Sequence, residues 1–307
     1  MAISRLKESA IRLLKTPVSP LMSFVTITFF AGDYQDIGQL IDGIPDSLTI
    51  KGVTYERARE TMAEYLDILC RQNVLKAGKN LKPDKIVVDL EMKLVGSSKA
   101  VVFDVKHSVI TRELERINSL LCLDHGCVEC CRGPHNSHRD CFFELPLSSD
   151  DLEFFRVSKV NTEYTRSTHA FAEPDPVFEG KKFYAHPPIM YHWEKGWSLI
   201  LPRETYCPNL DVEEGKCIIY QKRPEVCRLT QIFPLVLDRH YDPKAVSRLA
   251  EIAGLGLSDL KDRNNIYVAQ NAVLGILDCP YVRELKQEIV DYAALSGLKA
   301  CFRQNKK

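Results

Sequence analysis

Between Leu121 and Cys141 the chain reads LCLDHGCVECCRGPHNSHRDC, which places five cysteines and three histidines in twenty-one residues. Cys127 and Cys130 are three positions apart, a spacing at which a tight loop turns two sulfurs toward one metal in zinc and iron–sulfur sites alike. Cys131 follows Cys130 directly. Adjacent side chains diverge, so the pair is expected to face different metal atoms or two separate centres. A lone tetrahedral zinc ion with four cysteine ligands has no use for such a neighbour.

More thiols lie downstream. Cys207, Cys217 and Cys227 are evenly placed, with nine residues between each pair. In KRPEVCR, Pro224 and Glu225 mark a helix start, which puts Cys227 where free amides and the helix dipole favour a thiolate. Arg223 and Arg228 flank that cysteine and are candidates to offset the negative charge of a metal–thiolate centre. Cys279 precedes Pro280 at the mouth of the last helix, the same electrostatic position. Cys122 joins the list, since it stands five residues before Cys127. An isolated cysteine is usually core, and that reading is taken for Cys70, Cys301 and Cys141.

For acid–base or substrate-binding chemistry the candidates are His125, His135, His138, Asp140, His186, His192 and Trp193. The sequence shows no Gly-rich nucleotide loop and no Ser–His–Asp elbow, and AGLGL at 253–257 is too weak to count as a cofactor loop. Catalysis is therefore an open question at this level, with no residue assigned to it.

The chain that must position these groups has 307 residues and is 45% hydrophobic, enough to build a sizeable core without disulfide staples. Its eleven cysteines are an odd number, so complete internal pairing is impossible, and a reduced, metal-binding cytoplasmic protein fits best. Lysine plus arginine equals aspartate plus glutamate at 41 each, which argues against a nucleic-acid partner.

The N-terminal lead is basic and runs into LMSFVTITFFAG, an apolar stretch too short to span a bilayer. Its β-branched Val25, Thr26, Ile27 and Thr28 suit a buried strand near 23–30 after a first helix marked by Ile3, Leu6, Ala10 and Leu13. No transmembrane segment is expected. A short helix near 34–42 should end at Gly43 and Pro45, and Lys51–Gly52 should turn a tight hairpin. TYERARETMAEYLDILCRQN reads as one helix with Thr54 as cap. KIVVDLEMKLV and KAVVFDV are expected to pair as a hairpin, with a helix as the alternative for the first. Ile110, Leu114, Ile117 and Leu121 then define a helix that delivers the chain to the cysteine stretch. Beyond it, PLSSDDLEFFRV reads as a short serine-capped helix, residues 240–278 as mixed helix and loop, and Pro280 to Gly297 as a helix.

The motifs CVECC and GKCIIYQKRPEVCRLTQIFP together resemble the YkgJ-type CxxCxxCC cysteine-cluster proteins, a family associated with zinc or iron chelation. The resemblance covers roughly residues 122–280 and implies Cys127, Cys130, Cys131, Cys217 and Cys227 as ligands, with Cys207 as the preceding cysteine. The spacing from Cys122 to Cys127 is wider than the family's, and CRLTQIFP carries three extra residues between Cys-Arg and Phe-Pro. LDCPYVREL is similar to a late segment of the flagellin lysine N-methylases, which adds weight to Cys279.

The expectation is thus an α+β protein. It has an N-terminal mixed helix/strand domain over 1–115 and a loop-rich, mainly helical metal-stabilised domain over 116–307. The metal ligands would be Cys122, Cys127, Cys130, Cys131, Cys207, Cys217, Cys227 and Cys279, holding an iron–sulfur cluster, foremost [4Fe–4S], or zinc. The functions in view are a metal-dependent enzyme, a protein-lysine N-methylase-like transferase, or a non-catalytic role. The last covers an electron carrier, a metal chaperone, or a subunit that meets a protein partner through its N-terminal domain.

Overall fold

The computed structural model describes residues 5–77, 86–91, 93–123, 127–135, 140–166, 173–194, 196–229, 231–239 and 266–304. The chain begins with α1 (Arg5–Lys15) and, after a break at Thr16 and Pro17, α2 (Val18–Ala31). Residues 23–30 are therefore helical and not the expected strand. Val18, Leu21, Met22, Val25 and Phe29 recur at helical spacing and are at most 5% exposed, so packing of that face outweighs the β-preference of single residues. Length and hydropathy alone would let Arg5–Ala31 cross a bilayer, yet half of its apolar window is buried in the protein.

α3 (Ile37–Asp42) starts at Asp36, whose carboxylate accepts the Gln39 N–H at 3.0 Å. β1 (Leu48–Ile50) and β2 (Val53–Tyr55) form the expected hairpin, with positive φ at Lys51 (49°) and Gly52 (79°). The single long helix expected next is instead divided into α4 (Ala58–Ala63), α5 (Leu66–Leu69) and α6 (Asn73–Lys76), and Thr54 lies in β2 and not at a cap. Met62, Tyr65 and Leu69 still face the core. Cys70 does not: it is exposed, which corrects the core assignment.

β3 (Ile86–Val88) is extended, but KAVVFDV is not its hairpin partner, because those residues open α7 (Ser97–Leu123). Ala100, Val105, Val109, Ile110, Leu114, Ile117 and Leu121 make one continuous buried stripe along this helix. The helical period of the second half of that stripe thus extends back through the valines, overriding their β-propensity. The division expected at 115/116 falls inside α7.

Among the described residues, the rest of the chain holds more strand than helix, where a mainly helical second half was expected. β4 (Phe142–Leu147) precedes a 3-10 turn over Ser149–Phe154, where Ser148 and Asp151 form a capping box. β5 (Lys159–Asn161), the small hairpin β6 (Val177–Phe178) and β7 (Lys181–Lys182), and then β8 (Ile189–Trp193) and β9 (Gly196–Pro202) follow. β4, β9, β8 and β5 form a sheet in that order. Its two faces alternate along β9: Leu199 and Leu201 pack with Leu145 and Met190, while Ile200 packs with Tyr191 and Trp193 on the other side.

β10 (Leu210–Asp211) and β11 (Lys216–Cys217) make a second small hairpin, and α8 (Glu225–Arg228) is a single turn. β12 (Ile232–Arg239) pairs antiparallel with β13 (Ile266–Ile276), a long strand where helix and loop were expected. The other residues of the expected 240–278 region, up to 265, lie outside the described set. β13 carries mostly apolar and β-branched residues and pairs parallel with β3 at one end. The last helix is split at Leu285 into α9 (Pro280–Glu284) and α10 (Lys286–Leu295), and β14 (Lys299–Arg303) pairs parallel with the other end of β13. One core joins the chain's beginning and end: Ala10 and Leu14 of α1 meet α7, Ile232, Val236, Val273, Tyr281 and Ile289.

Candidate metal centre

The last turn of α7 brings in Cys122. After it, a 3-10 turn at Glu129–Cys131 closes when the Cys131 N–H bonds Val128 O at 2.8 Å. Residues 131–134 then run beside 204–207. The Cys207 N–H donates to Cys131 O at 2.8 Å, the Gly133 N–H to Thr205 O at 2.8 Å, and the Glu204 N–H to Pro134 O at 3.1 Å. This ladder places Cys131 against Cys207, seventy-six residues away in sequence.

Gly133 makes that approach possible, since a Cβ there would lie 1.7 Å from Pro202 O. Gly133→Ala is expected to destabilise the protein by about 1–3 kcal/mol, as overpacking against backbone does. Thermal unfolding of the variant beside the parent would measure it, with lowered metal retention as a second readout.

Cys217 reaches the same region through the β10–β11 hairpin, where it pairs with Leu210. Asp211 caps that turn by accepting the N–H groups of Glu213 and Glu214, each at 3.0 Å. Cys227 sits in α8 and packs with Cys207 against Leu145, Leu199 and Leu201. Cys279 follows β13 and packs on the other core, beside Tyr281 and Val282.

All eleven cysteines are free thiols. Cys130 and Cys131 hydrogen-bond each other, so the adjacent side chains converge and do not diverge as expected, and this bond together with burial pushes the Cys131 thiol far above its usual range. Burial, reinforced by neighbouring thiols, raises Cys122 and Cys207 to about 11 and Cys227 to about 12. Desolvation therefore outweighs the helix start at Cys227, which corrects the expectation of a favoured thiolate there.

Backbone amides oppose burial at four sulfurs. The N–H of Glu129 lies on Cys127, that of Asn209 on Cys207, that of Ile219 on Cys217, and those of Tyr281 and Val282 on Cys279. Each of the four accepts from the residue two positions on. That arrangement stabilises a sulfur once it carries negative charge.

Cys122, Cys127, Cys130 and Cys279 line a cavity of about 860 Å³. Its other walls include Arg132, Arg283 and Arg303, opposed by Glu129 and Asp278. Gln231 also lines it and is 5% exposed, and among the described residues its side-chain oxygen has no hydrogen-bond partner. Gln231 stands just before β12, inside the CRLTQIFP stretch, and Arg303 ends β14; neither was singled out in the sequence.

Residues 121–247 match the CxxCxxCC family model. That family is described as a "putative zinc- or iron-chelating domain". No curated protein and no solved structure matches the chain. The CxxCxxCC match takes in seven of the eight candidate ligands, while Cys279 lies beyond its end and enters the site through the fold.

The donor set suits the metals of the CxxCxxCC description: soft thiols, all free, several with amides already aimed at the sulfur. They are neighbours and not yet a coordination sphere. Among the described residues no three His, Cys, Asp or Glu side chains stand ready to hold an ion, so binding requires the sulfurs to draw in. Arg223 is poised to balance their charge. It is 6% exposed, lies 3.9 Å over the Tyr220 ring, donates to Ser119 Oγ at 2.9 Å and reaches the Cys122 thiol. Arg228 turns away to Glu115 at 3.6 Å.

The remaining candidates separate. His135 lines the cavity, between Glu129 at 3.7 Å and Glu204 at 3.8 Å. His186 bonds Phe178 O at 2.9 Å, and His192 stacks on Trp197, and neither lines the cavity. Trp193 is core, stacked on Tyr191. Asp140 is exposed and takes the Arg203 guanidinium on its backbone oxygen. Cys141 is exposed and lines a different pocket with His186, so its core assignment is corrected too. His125 and His138 lie outside the described residues.

Proposed function

We propose that the cavity-facing cysteines hold an iron–sulfur cluster of the [4Fe–4S] type, and that the protein uses it in a reaction on a small anionic molecule. One observation carries this reading: four thiols from three separate segments open on a single 860 Å³ cavity. A zinc ion bound by four thiolates is saturated and closed, so a cavity at its surface has no chemical use. An iron–sulfur cluster bound by four thiolates still exchanges an electron with whatever lies beside it.

This chain's own residues supply the rest. Arg132, Arg283 and Arg303 favour a carboxylate or phosphate at the wall, and the Gln231 oxygen waits for an N–H or O–H donor. His135 stands on the same wall, bonded to the Arg132 guanidinium. Such a centre needs its thiols kept reduced, and a reducing compartment such as the cytosol suits that need.

A non-catalytic, partner-binding role draws on a different feature, the row of Phe24, Ile27 and Phe30 left exposed along α2. The deciding experiment is anaerobic purification and reconstitution, with iron and sulfide analysis, visible absorption and EPR. The expected result is about four iron and four sulfide per chain. They should be lost in Cys127→Ser and retained in the controls Cys70→Ser and Cys141→Ser. Zinc without acid-labile sulfide at these residues would overturn the reading. A reversible redox couple unaffected by any small anion would move it to the carrier role.

A further inference from the structure

One end of the β12–β13–β14 sheet meets the cavity, and three residues stand there in a single cross-strand row. The Ile276 N–H donates to Gln231 O at 2.9 Å, just before β12, and Ile276 is the register partner of Arg303 on β14. Partners across a ladder share a face, and all three line the cavity, with Phe233 two residues on from Gln231. Neighbouring strands lie about 4.8 Å apart, so the backbones of Gln231 and Arg303 are about 10 Å apart across Ile276.

The two ends of this row differ in chemistry. At one end Gln231 is 5% exposed, and among the described residues its side-chain oxygen accepts no hydrogen bond. A buried amide oxygen without a donor is costly, so a ligand that brings one is favoured. At the other end Arg303 is joined by Arg283 of α9. Gly275 sets that meeting. A Cβ there would lie 2.9 Å from Val282 Cγ1 and 3.0 Å from the Phe302 ring, so its absence lets the residues just before the two arginines close on β13.

The charges around this end are few. Among the described residues neither Arg283 nor Arg303 has a carboxylate at ion-pair distance. Of the two carboxylates that line the cavity, Glu129 lies 3.7 Å from His135, which Arg132 also bonds. The other, Asp278, follows Leu277, whose N–H donates to Arg303 O at 2.8 Å. Two guanidiniums against Asp278 leave that end positive. Between the ends, Ile276 and Phe233 offer an apolar surface.

We infer that the cavity takes a two-headed ligand. Its phosphate or carboxylate accepts from Arg283 and Arg303, its middle lies on Ile276 and Phe233, and a neutral amine or amide N–H at its far end donates to Gln231 Oε1. A nucleoside monophosphate and a short N-acylated peptide with a free carboxylate both carry this chemistry at about the required length. The inference rests on the cavity being the site of the small anion, and it holds whichever metal the cysteines bind.

The test is titration calorimetry on the full-length, anaerobically reconstituted protein. Inorganic phosphate and acetate are the head-only probes; adenosine 5′-monophosphate and N-acetyl-trialanine are the two-headed ones. At least one two-headed probe should bind about tenfold or more tighter than its bare head group, and the one that does so identifies the source. Its analogue without the donor should lose about tenfold. Those analogues are purine riboside 5′-monophosphate, which has no exocyclic amine, and the peptide N-methylated at its first amide. This comparison leaves the protein unaltered, so it does not depend on a variant folding. Gln231→Leu should weaken the two-headed probe by a similar factor and leave phosphate binding unchanged, whereas Arg303→Gln should weaken both.

Head groups that bind as tightly as the two-headed probes, or analogues that bind as well as their parents, would overturn the inference and leave the anion site in place. No binding of any probe would overturn the anion site as well. Donor-dependent binding to protein that holds zinc and no sulfide would support the inference and sink the iron–sulfur reading alone.

Discussion

Chelation at neutral pH is expected to make the segment from Glu204 to Arg228 susceptible to proteases about a hundredfold faster, while the helical core around α7 stays folded. The argument is about what holds that segment. Its hairpin pairs only Leu210 with Cys217 and Asp211 with Lys216, and its two helical turns bury nothing. Its anchors are the cysteine side chains, the backbone bonds to 131–134, Leu210, Ile219 and Val226 in apolar contact, and the bonds of Asn209 to Phe154 and of Tyr220 and Arg223 to Ser119. A metal bound at a hundred times its dissociation constant contributes about 2.7 kcal/mol to such a segment, and removing it raises the open population by about that factor of a hundred.

The core has no such dependence. Ile110, Leu114, Ile117 and Leu121 are packed against Ile232, Tyr281 and Ile289 by hydrophobic contact alone. Limited proteolysis with mass-spectrometric mapping, with and without chelator, checks this. Cleavage that begins in α2 or α7, or a rate indifferent to chelator, would show that metal does not hold the segment.

The same contrast explains what could be read ahead of the structure. α7 from Ile110 to Leu121, the Lys51–Gly52 hairpin and the Ser148 cap each follow from a local rule, and each is where the sequence places it. α2 is not legible because its apolar residues run almost all round, so the 18, 21, 22, 25, 29 period is hidden among β-branched neighbours. The first turns of α7 are hidden for the same reason. β13 is hidden because its hydrophobic run pairs on both edges and shows no alternation. At the site, thiol spacing together with the family resemblance nominates the eight cysteines, but only the fold shows which of them share a cavity. Cys70 and Cys141 are misplaced by sequence reasoning because free cysteine resembles a small hydrophobe, and no local signal says which side of a turn it occupies. Gln231, although in the CRLTQIFP stretch, and Arg303 reach the cavity beside Cys279 through the pairing of β12 and β14 with β13, a relation with no sequence signature.

A second large effect is expected from Glu113, midway along α7 and 3% exposed. One carboxylate oxygen accepts the Val18 N–H at 2.9 Å, at the start of α2, and the other accepts the Tyr292 hydroxyl at 2.7 Å, on α10. Burial raises its pKa to about 7 against the pull of those two hydrogen bonds. The unfolded chain titrates near the ordinary glutamate value of about 4.3. Because the folded value is the higher one, the folded state binds the extra proton. Its stabilising contribution is complete below about pH 4 and is lost as pH rises towards 7, after which the curve is flat. The loss runs at about 1 kcal/mol per pH unit. Glu113→Gln mimics the protonated form: its oxygen can accept from Val18, and its amide can donate to the Tyr292 oxygen. The stability of the parent relative to this variant is therefore expected to fall between about pH 5 and 7 and then level off. Denaturant unfolding at each pH, taken as a difference so that other titrating groups cancel, measures it. A difference constant from about pH 5 to 8 would mean that Glu113 is charged throughout, held by Val18 and Tyr292 despite its burial.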